Sequence, residues 1–198
     1  MNKVFFDLEW NTGFLDGNSF DEIIEIGAVK TDEEYRQIDG FRRLIRPVIY
    51  RKMNPYIQKI LAITMKDLQG EEPLASVAKA FFDWCGDCDT LIAWSGNDFG
   101  VLEKNLAHIG MKIPEQLDRY DVQMAYAYRT ENSIRNYALK TAVEAMELPE
   151  PEGQEYHDAY CDAQFTAAIG RALTERYGPL PAVCLLYTSP SPRDRSLS

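Results

Sequence analysis

Asp7 and Glu9 stand two positions apart in a run, Lys3 to Trp10, that is otherwise mostly apolar and aromatic. Read as a buried strand, that spacing turns both carboxylates to one face. Two acids forced together there repel each other and resist leaving water, and a cation held between them resolves both costs. A pair that reaches solvent at a strand end accounts for the two residues equally well. Asp98 follows the turn Ser95-Gly96-Asn97, after a short apolar segment and at the start of a helical pattern. An aspartate in that place commonly caps a helix. The carboxyl end of a strand is also where ligands bind in open α/β sheets. The last group is His157-Asp158-Ala159-Tyr160-Cys161-Asp162, with the histidine at a helix entrance and Asp162 about one and a half turns further in. Alone, a histidine there is commonly structural; its interest comes from the acids around it.

These residues need elements to bring them together. Lys3–Trp10 reads as a strand, Asn11–Asn18 as a loop with two glycines, Glu22–Lys30 as a second strand, and Ile38–Arg46 as a third, ended by Pro47. Short connections between them predict an antiparallel meander. The period then changes to that of a helix. Pro73–Cys85 places Leu74, Val77, Ala78, Phe81 and Phe82 on one face, behind a proline suited to a first turn. Thr90–Trp94 is a short apolar strand, Asp98–Ile109 a helix stopped by Gly110, and Gln116–Val122 a fifth strand. Helices are expected over Val122–Tyr128, Ile134–Met146 and His157–Tyr177. Three strands, then helix–strand–helix–strand, then helices, is a mixed α/β layer architecture.

In order and setting, three segments resemble the motifs of the DEDDh exonucleases. The first is Phe6-Asp7-Leu8-Glu9, followed by Glu22-Ile23-Ile24-Glu25-Ile26-Gly27. The second is Trp94-Ser95-Gly96-Asn97-Asp98 with Leu102 after it. The third is His157-x-Ala159-x-x-Asp162, preceded by Ser133-Ile134 through Leu139. The resemblance covers about residues 2–175. It implies a ribonuclease-H-like fold, an α/β domain whose mixed five-stranded sheet has three antiparallel strands followed by two parallel ones. It implies that Asp7, Glu9, Asp98 and Asp162 hold two divalent cations, Mg²⁺ or Mn²⁺, which favour oxygen ligands. His157 is then the catalytic base for the attacking water. Trp10, Asn11 and Thr12 are where the family holds the terminal nucleotide, and Phe99 is expected to pack nearby. The expected activity is 3′-to-5′ exonucleolytic hydrolysis of single-stranded RNA or DNA to nucleoside 5′-monophosphates. Trp84 two positions after Phe82, the WSGND form of the second motif, and Asn54-Pro55 through Ile63-Thr64 are most similar to KapD and Eri-type exonucleases, which favours RNA. Trp10 and Tyr156 depart from the common pattern without removing a metal ligand. The alternatives are a DNA-directed proofreading or repair exonuclease, or a non-catalytic nucleic-acid-binding protein on the same fold.

Composition narrows the rest. The chain has 198 residues, is 45% hydrophobic, and is long enough for one sizeable core. No apolar run approaches a membrane helix, and Asp7 and Glu9 interrupt any signal-peptide pattern at the N-terminus. A soluble cytoplasmic protein without membrane partners is expected; the oligomeric state is not encoded legibly. A net charge of −10 argues against tight non-specific duplex binding, but not against cations bridging carboxylates to phosphate. Arg36, Arg42, Arg43, Arg46, Arg51 and Lys52 form a locally basic stretch, read as a solvated surface in preference to a phosphate track. Trp84-Cys85-Gly86-Asp87-Cys88 imitates a thioredoxin motif, but it ends a helix, where the dipole raises a thiol pKa. His157-Asp158 imitates the HD phosphohydrolase signature, without the further histidines that fold needs; His108 has no catalytic role. Residues 184–198, from Cys184, include CLLYTSPSPRD, which resembles a translated sequencing adapter. The expected domain is therefore residues 1–183, followed by a disordered foreign tail.

Overall fold

A computed structural model describes residues 2–149 and 157–180. Tyr156 and the adapter-like tail, with Cys184, lie outside the described residues. The strands are β1 (Lys3–Leu15), β2 (Asn18–Thr31), β3 (Gln37–Leu44), β4 (Thr90–Ala93) and β5 (Asp118–Asp121). The helices are α1 (Ile57–Ile60), α2 (Met65–Leu68), α3 (Leu74–Cys85), α4 (Gly96–His108), α5 (Val122–Glu131), α6 (Leu139–Ala145) and α7 (Ala159–Tyr177). One sheet of order β3-β2-β1-β4-β5 pairs β1, β2 and β3 antiparallel and adds β4 and β5 parallel. Three antiparallel strands followed by two parallel ones is the mixed five-stranded sheet that the sequence resemblance implies.

The central strand explains the layers. Along β1, Val4, Phe6 and Leu8 enter a core with Phe81 of α3 and Leu102 of α4. Phe5 enters the opposite core, with Phe165, Ile169 and Leu173 of α7. Alternation therefore sends Asp7 and Glu9 toward the α7 face. The parallel partner β4 pairs with β1 only from Lys3 to Phe5. Beyond it β1 runs on through Asp7 and Glu9, and the gap left on that edge is where the cleft opens.

The first hairpin is longer than the sequence suggested. Asn11–Leu15 continues β1 instead of forming a loop, and the reversal is confined to Asp16-Gly17, both with positive φ (50° and 82°). That pair is the tight hairpin signal of an Asp-Gly turn. Opposite Glu9 and Trp10 the register slips, leaving Ile24 of β2 as an extra residue. The bulge buries Ile24 in a small third core with Met53, Leu61 and Leu68, which seats the segment carrying α1 and α2 against the sheet. Buried Glu22 fixes the same segment, accepting the backbone N–H groups of Val48, Ile49 and Tyr50 at 2.6, 2.7 and 2.9 Å.

Two helix boundaries also moved. The helix expected over Ile134–Met146 is only α6, and Ile134 is 92% exposed. Asn132 ends α5 in the left-handed conformation, and the Tyr137 carbonyl accepts from Trp94 Nε1 (3.0 Å) and Gln123 Nε2 (2.8 Å). Those bonds hold the approach to α6 in an extended path. α7 begins at Ala159, not His157, because Asp158 is its N-cap and accepts from Cys161 N–H at 3.1 Å. Cys85 and Cys88 are buried free thiols, with Cys85 pushed up to about 12 chiefly by burial. That is the opposite of a redox nucleophile. Among the described residues no helix is long and apolar enough to cross a membrane.

Candidate active site

Four acids and a histidine share one cleft of about 280 Å³, lined by Asp7, Leu8, Glu9, Trp10, Ile57, Ile60, Leu61, Asp98, His157 and Asp162. Larger cavities lie beside Arg46 and Arg51 (about 360 Å³) and beside Lys3 and Tyr35 (about 450 Å³), but neither gathers carboxylates. β1 supplies Asp7 and Glu9, the first turn of α4 supplies Asp98, and the entrance of α7 supplies His157 and Asp162. Glu9, His157 and Asp162 each present a ligand atom within 4.8 Å of the others.

Asp98 is not the helix cap that its sequence position allows. Ser95 takes that place, accepting Asn97 N–H at 3.3 Å, and its hydroxyl donates to Asp98 Oδ2 at 3.2 Å. Buried Asp121 holds the turn from beneath, accepting Gly96 N–H and Met124 N–H, both at 2.8 Å. The Asp98 carboxylate is thereby turned into the cleft. At the other wall His157 sits at φ 70°, a conformation costly for a residue with a Cβ. Its N–H donates to Asp162 Oδ2 at 3.2 Å.

The electrostatics are those of buried carboxylates crowded against one another. Asp7 is raised well above the ordinary carboxylate range by burial and then by the charges of Asp98, Asp162 and Glu9. Burial and the charge of Asp162 raise Glu9 to about 8. Asp162 rises to about 7 and Asp98 to about 6, both chiefly through burial. Asp162 Oδ1 is buried and has no hydrogen-bond partner. Hard oxygen donors, mutual repulsion and an orphaned carboxylate oxygen together fit divalent cations, as the family generally requires.

The residues expected around the terminal nucleotide are placed differently from one another. Trp10 lines the cleft. Asn11 is buried with its amide engaged at both ends, donating to the Lys52 carbonyl (3.0 Å) and accepting Asn54 N–H (2.8 Å). Thr12 donates to Asp21 Oδ1 at 2.8 Å. Phe99 is buried against Phe6, ring centroids 5.1 Å apart, in the core beneath Asp98. Ile57, Ile60 and Leu61 form an apolar wall that the sequence reading did not single out. Their i, i+3, i+4 spacing was the available signal, in a helix of only four residues.

Known proteins resemble this chain in sequence and in fold. The chain is 29% identical over 169 residues to the PolC-type DNA polymerase III of Clostridium perfringens (strain 13 / Type A), covering 84% of this chain and 11% of that one. It thus spans about a tenth of that relative. The nuclease domain of 3′hExo, a DEDDh family member bound to rAMP, superposes with a TM-score of 0.78 at 16% identity, over 94% of this chain and 96% of the other. A full-length 3′-exonuclease gives 0.77 at 16% identity, over 96% and 91%. At such identities the two structures establish the fold. The exonuclease family RNase T matches residues 4–169, and with that match over the described cleft the chain belongs to the RNase T family of exonucleases, of the DEDDh type.

Proposed function

We propose that this protein is a 3′-to-5′ exonuclease that removes nucleoside 5′-monophosphates from single-stranded RNA in the presence of Mg²⁺ or Mn²⁺. The observation that carries the reading is the convergence of Asp7, Glu9, Asp98, Asp162 and His157 on one cleft. A pure binding surface for phosphates gains nothing from four carboxylates whose repulsion and burial raise their pKa values.

Asp7, Glu9, Asp98 and Asp162 would hold two cations, which when bound neutralise the phosphate and stabilise the attacking and leaving oxygens of an in-line displacement. His157, exposed at the cleft rim, takes a proton from the attacking water through an imidazole nitrogen. The water oxygen bonds to phosphorus as the bond to the 3′-oxygen of the preceding nucleotide breaks, and that oxygen leaves and gains a proton. Trp10, Ile57, Ile60 and Leu61 offer an apolar surface for the terminal base. Asn11 acts indirectly, holding the segment after β3 against β1 through Lys52 and Asn54. Thr12 accepts Asn54 Nδ2–H at its carbonyl, reinforcing that contact.

RNA as substrate rests on the form of the second motif and on the preceding α3 helix. The PolC-type relative favours a second reading, a DNA-directed exonuclease. One experiment addresses both: 5′-labelled single-stranded RNA and DNA incubated with Mg²⁺, Mn²⁺ or EDTA, beside an Asp7→Ala protein. The expected result is a ladder shortening from the 3′ end, dependent on metal and on Asp7, and faster on RNA. Faster cleavage of DNA favours the second reading, and a folded protein that cleaves neither overturns both.

A further inference from the structure

Beside the cleft carboxylates the structure also buries Glu25. Glu25 of β2 lies opposite Glu9 of β1 in register, so the two side chains leave adjacent strands on one face. Glu25 is fully buried and its Oε2 has no partner. Its Oε1 accepts from Arg42 Nε at 2.7 Å, and the other arm of that guanidinium donates to Asp158 Oδ2. Asp158 divides its two oxygens between two tasks. Oδ1 caps α7 through Cys161 N–H, and Oδ2 receives Arg42. The next residue back along the chain is His157.

The two elements joined by Arg42 are in close contact. A Cβ on Gly27, the β2 partner of Arg42, would lie 2.2 Å from the Ala159 backbone. The first turn of α7 therefore rests directly on the sheet, and Arg42 bridges the sheet edge to the start of the helix. His157 is held in its left-handed conformation from two sides, by Asp162 at its own N–H and by Arg42 through Asp158. A conformation of that cost persists only where its surroundings fix it.

We propose that Arg42 is a positioning residue. By bridging buried Glu25 to the free oxygen of Asp158, it fixes the entrance of α7 and so the place of the His157 imidazole against Glu9 and Asp162. The effect on turnover rests on the exonuclease reading; the effect on His157 does not. A purely folding role for Arg42, as counter-charge to Glu25, would leave His157 indifferent to Asp158 Oδ2.

Asp158→Asn separates the two roles. Asparagine caps helices as well as aspartate does, but it turns an amide donor or a neutral oxygen toward the guanidinium. The chain has two histidines, so in a His108→Gln background the imidazole of His157 gives a single set of NMR signals. Asp158→Asn is expected to keep the parent melting curve, shift and broaden the His157 signals without metal, and lower kcat with Mn²⁺ about 10–100-fold at unchanged KM. Arg42→Gln should do the same, and Arg42→Lys should recover part of the loss. Arg171→Gln, which breaks an exposed pair with Glu175 further along α7, should be silent in both assays. If Arg42→Gln does not fold, Asp158→Asn alone decides. Parent-like His157 signals and kcat in Asp158→Asn would overturn the proposal. Shifted signals in a protein whose parent cleaves no nucleic acid would uphold the positioning and reject the exonuclease reading.

Discussion

Asp7 is the residue on which the cleft's electrostatics converge, because every neighbouring acid raises its pKa further after burial has done so. Without metal, that carboxylate costs the folded state stability; on the proposed function, it supplies a ligand when metal binds. Asp7→Asn should therefore melt higher than the parent in EDTA, lose nuclease activity, and lose most of the rise in Tm that Mg²⁺ or Mn²⁺ gives the parent. That rise should approach the equivalent of about 2.7 kcal/mol at a hundredfold excess of metal over its Kd. Thermal melts of the two proteins, with and without metal, check each part. The same carboxylates set a pH dependence. Asp98, Asp162 and Glu9 titrate near 6, 7 and 8 in the folded chain, above the range of unfolded carboxylates at about 4. Between those limits the folded protein holds protons that the unfolded chain has released. Metal-free stability should thus be greatest near pH 4 as far as these groups are concerned, and fall as pH rises to about 8. Metal affinity should rise over the same window, because binding displaces those protons. Urea titrations at several pH values in EDTA test the first statement, and calorimetric titration with Mn²⁺ tests the second.

At the scale of elements, the site depends on how closely α7 approaches β2. Gly27 permits that approach by lacking a Cβ, since any side chain there would meet the Ala159 and Tyr160 backbone at 2.2 Å. Gly27→Ala must push the helix off the sheet, and with it His157 and Asp162. A loss of about 3 kcal/mol in stability is expected from such overpacking, with a fall in kcat larger than the stability loss alone would produce. Denaturant midpoints and kinetics below the melting range measure the two effects separately. Gly17 makes a useful comparison, because nothing lies within 4 Å of a Cβ there and only its φ of 82° opposes substitution. Gly17→Ala should cost about 1 kcal/mol and leave kcat unchanged.

For the molecule as a whole, the described residues hold two cores on opposite faces of one sheet and a smaller third beneath α1 and α2. All five cleft residues and the three segments that orient them lie within residues 2–180. The proposal that residues 184–198 are foreign predicts that residues 1–183 keep the Tm and the exonuclease rate of the full chain. A drop of several degrees in Tm on removing the tail would show that it packs against the domain. The net charge of −10 should also confine binding to metal-loaded protein, where cations bridge carboxylate and phosphate.

Much of this was legible because it is local. The i, i+2 spacing of Asp7 and Glu9, the apolar period of Leu74–Cys85 and the Asp98 turn each follow from neighbours along the chain, and the fold class followed from their order. The Asp16-Gly17 dipeptide that closes the hairpin is a local signal too, but the sequence reading spreads the reversal over a loop, Asn11–Asn18, that the structure makes strand up to Leu15. Other features were not legible, because their causes are distant in sequence. Burial of Ile24 at a bulge places the Ile57–Leu61 wall, Tyr137 is kept from a helix by Trp94 and Gln123, and His157 is oriented through Arg42 and Glu25. Sequence alone determined which groups could do the chemistry, since residue type and local period are properties of the chain. Only the tertiary structure decided how they are aimed, because a carboxylate's direction and its pKa depend on what is packed against it.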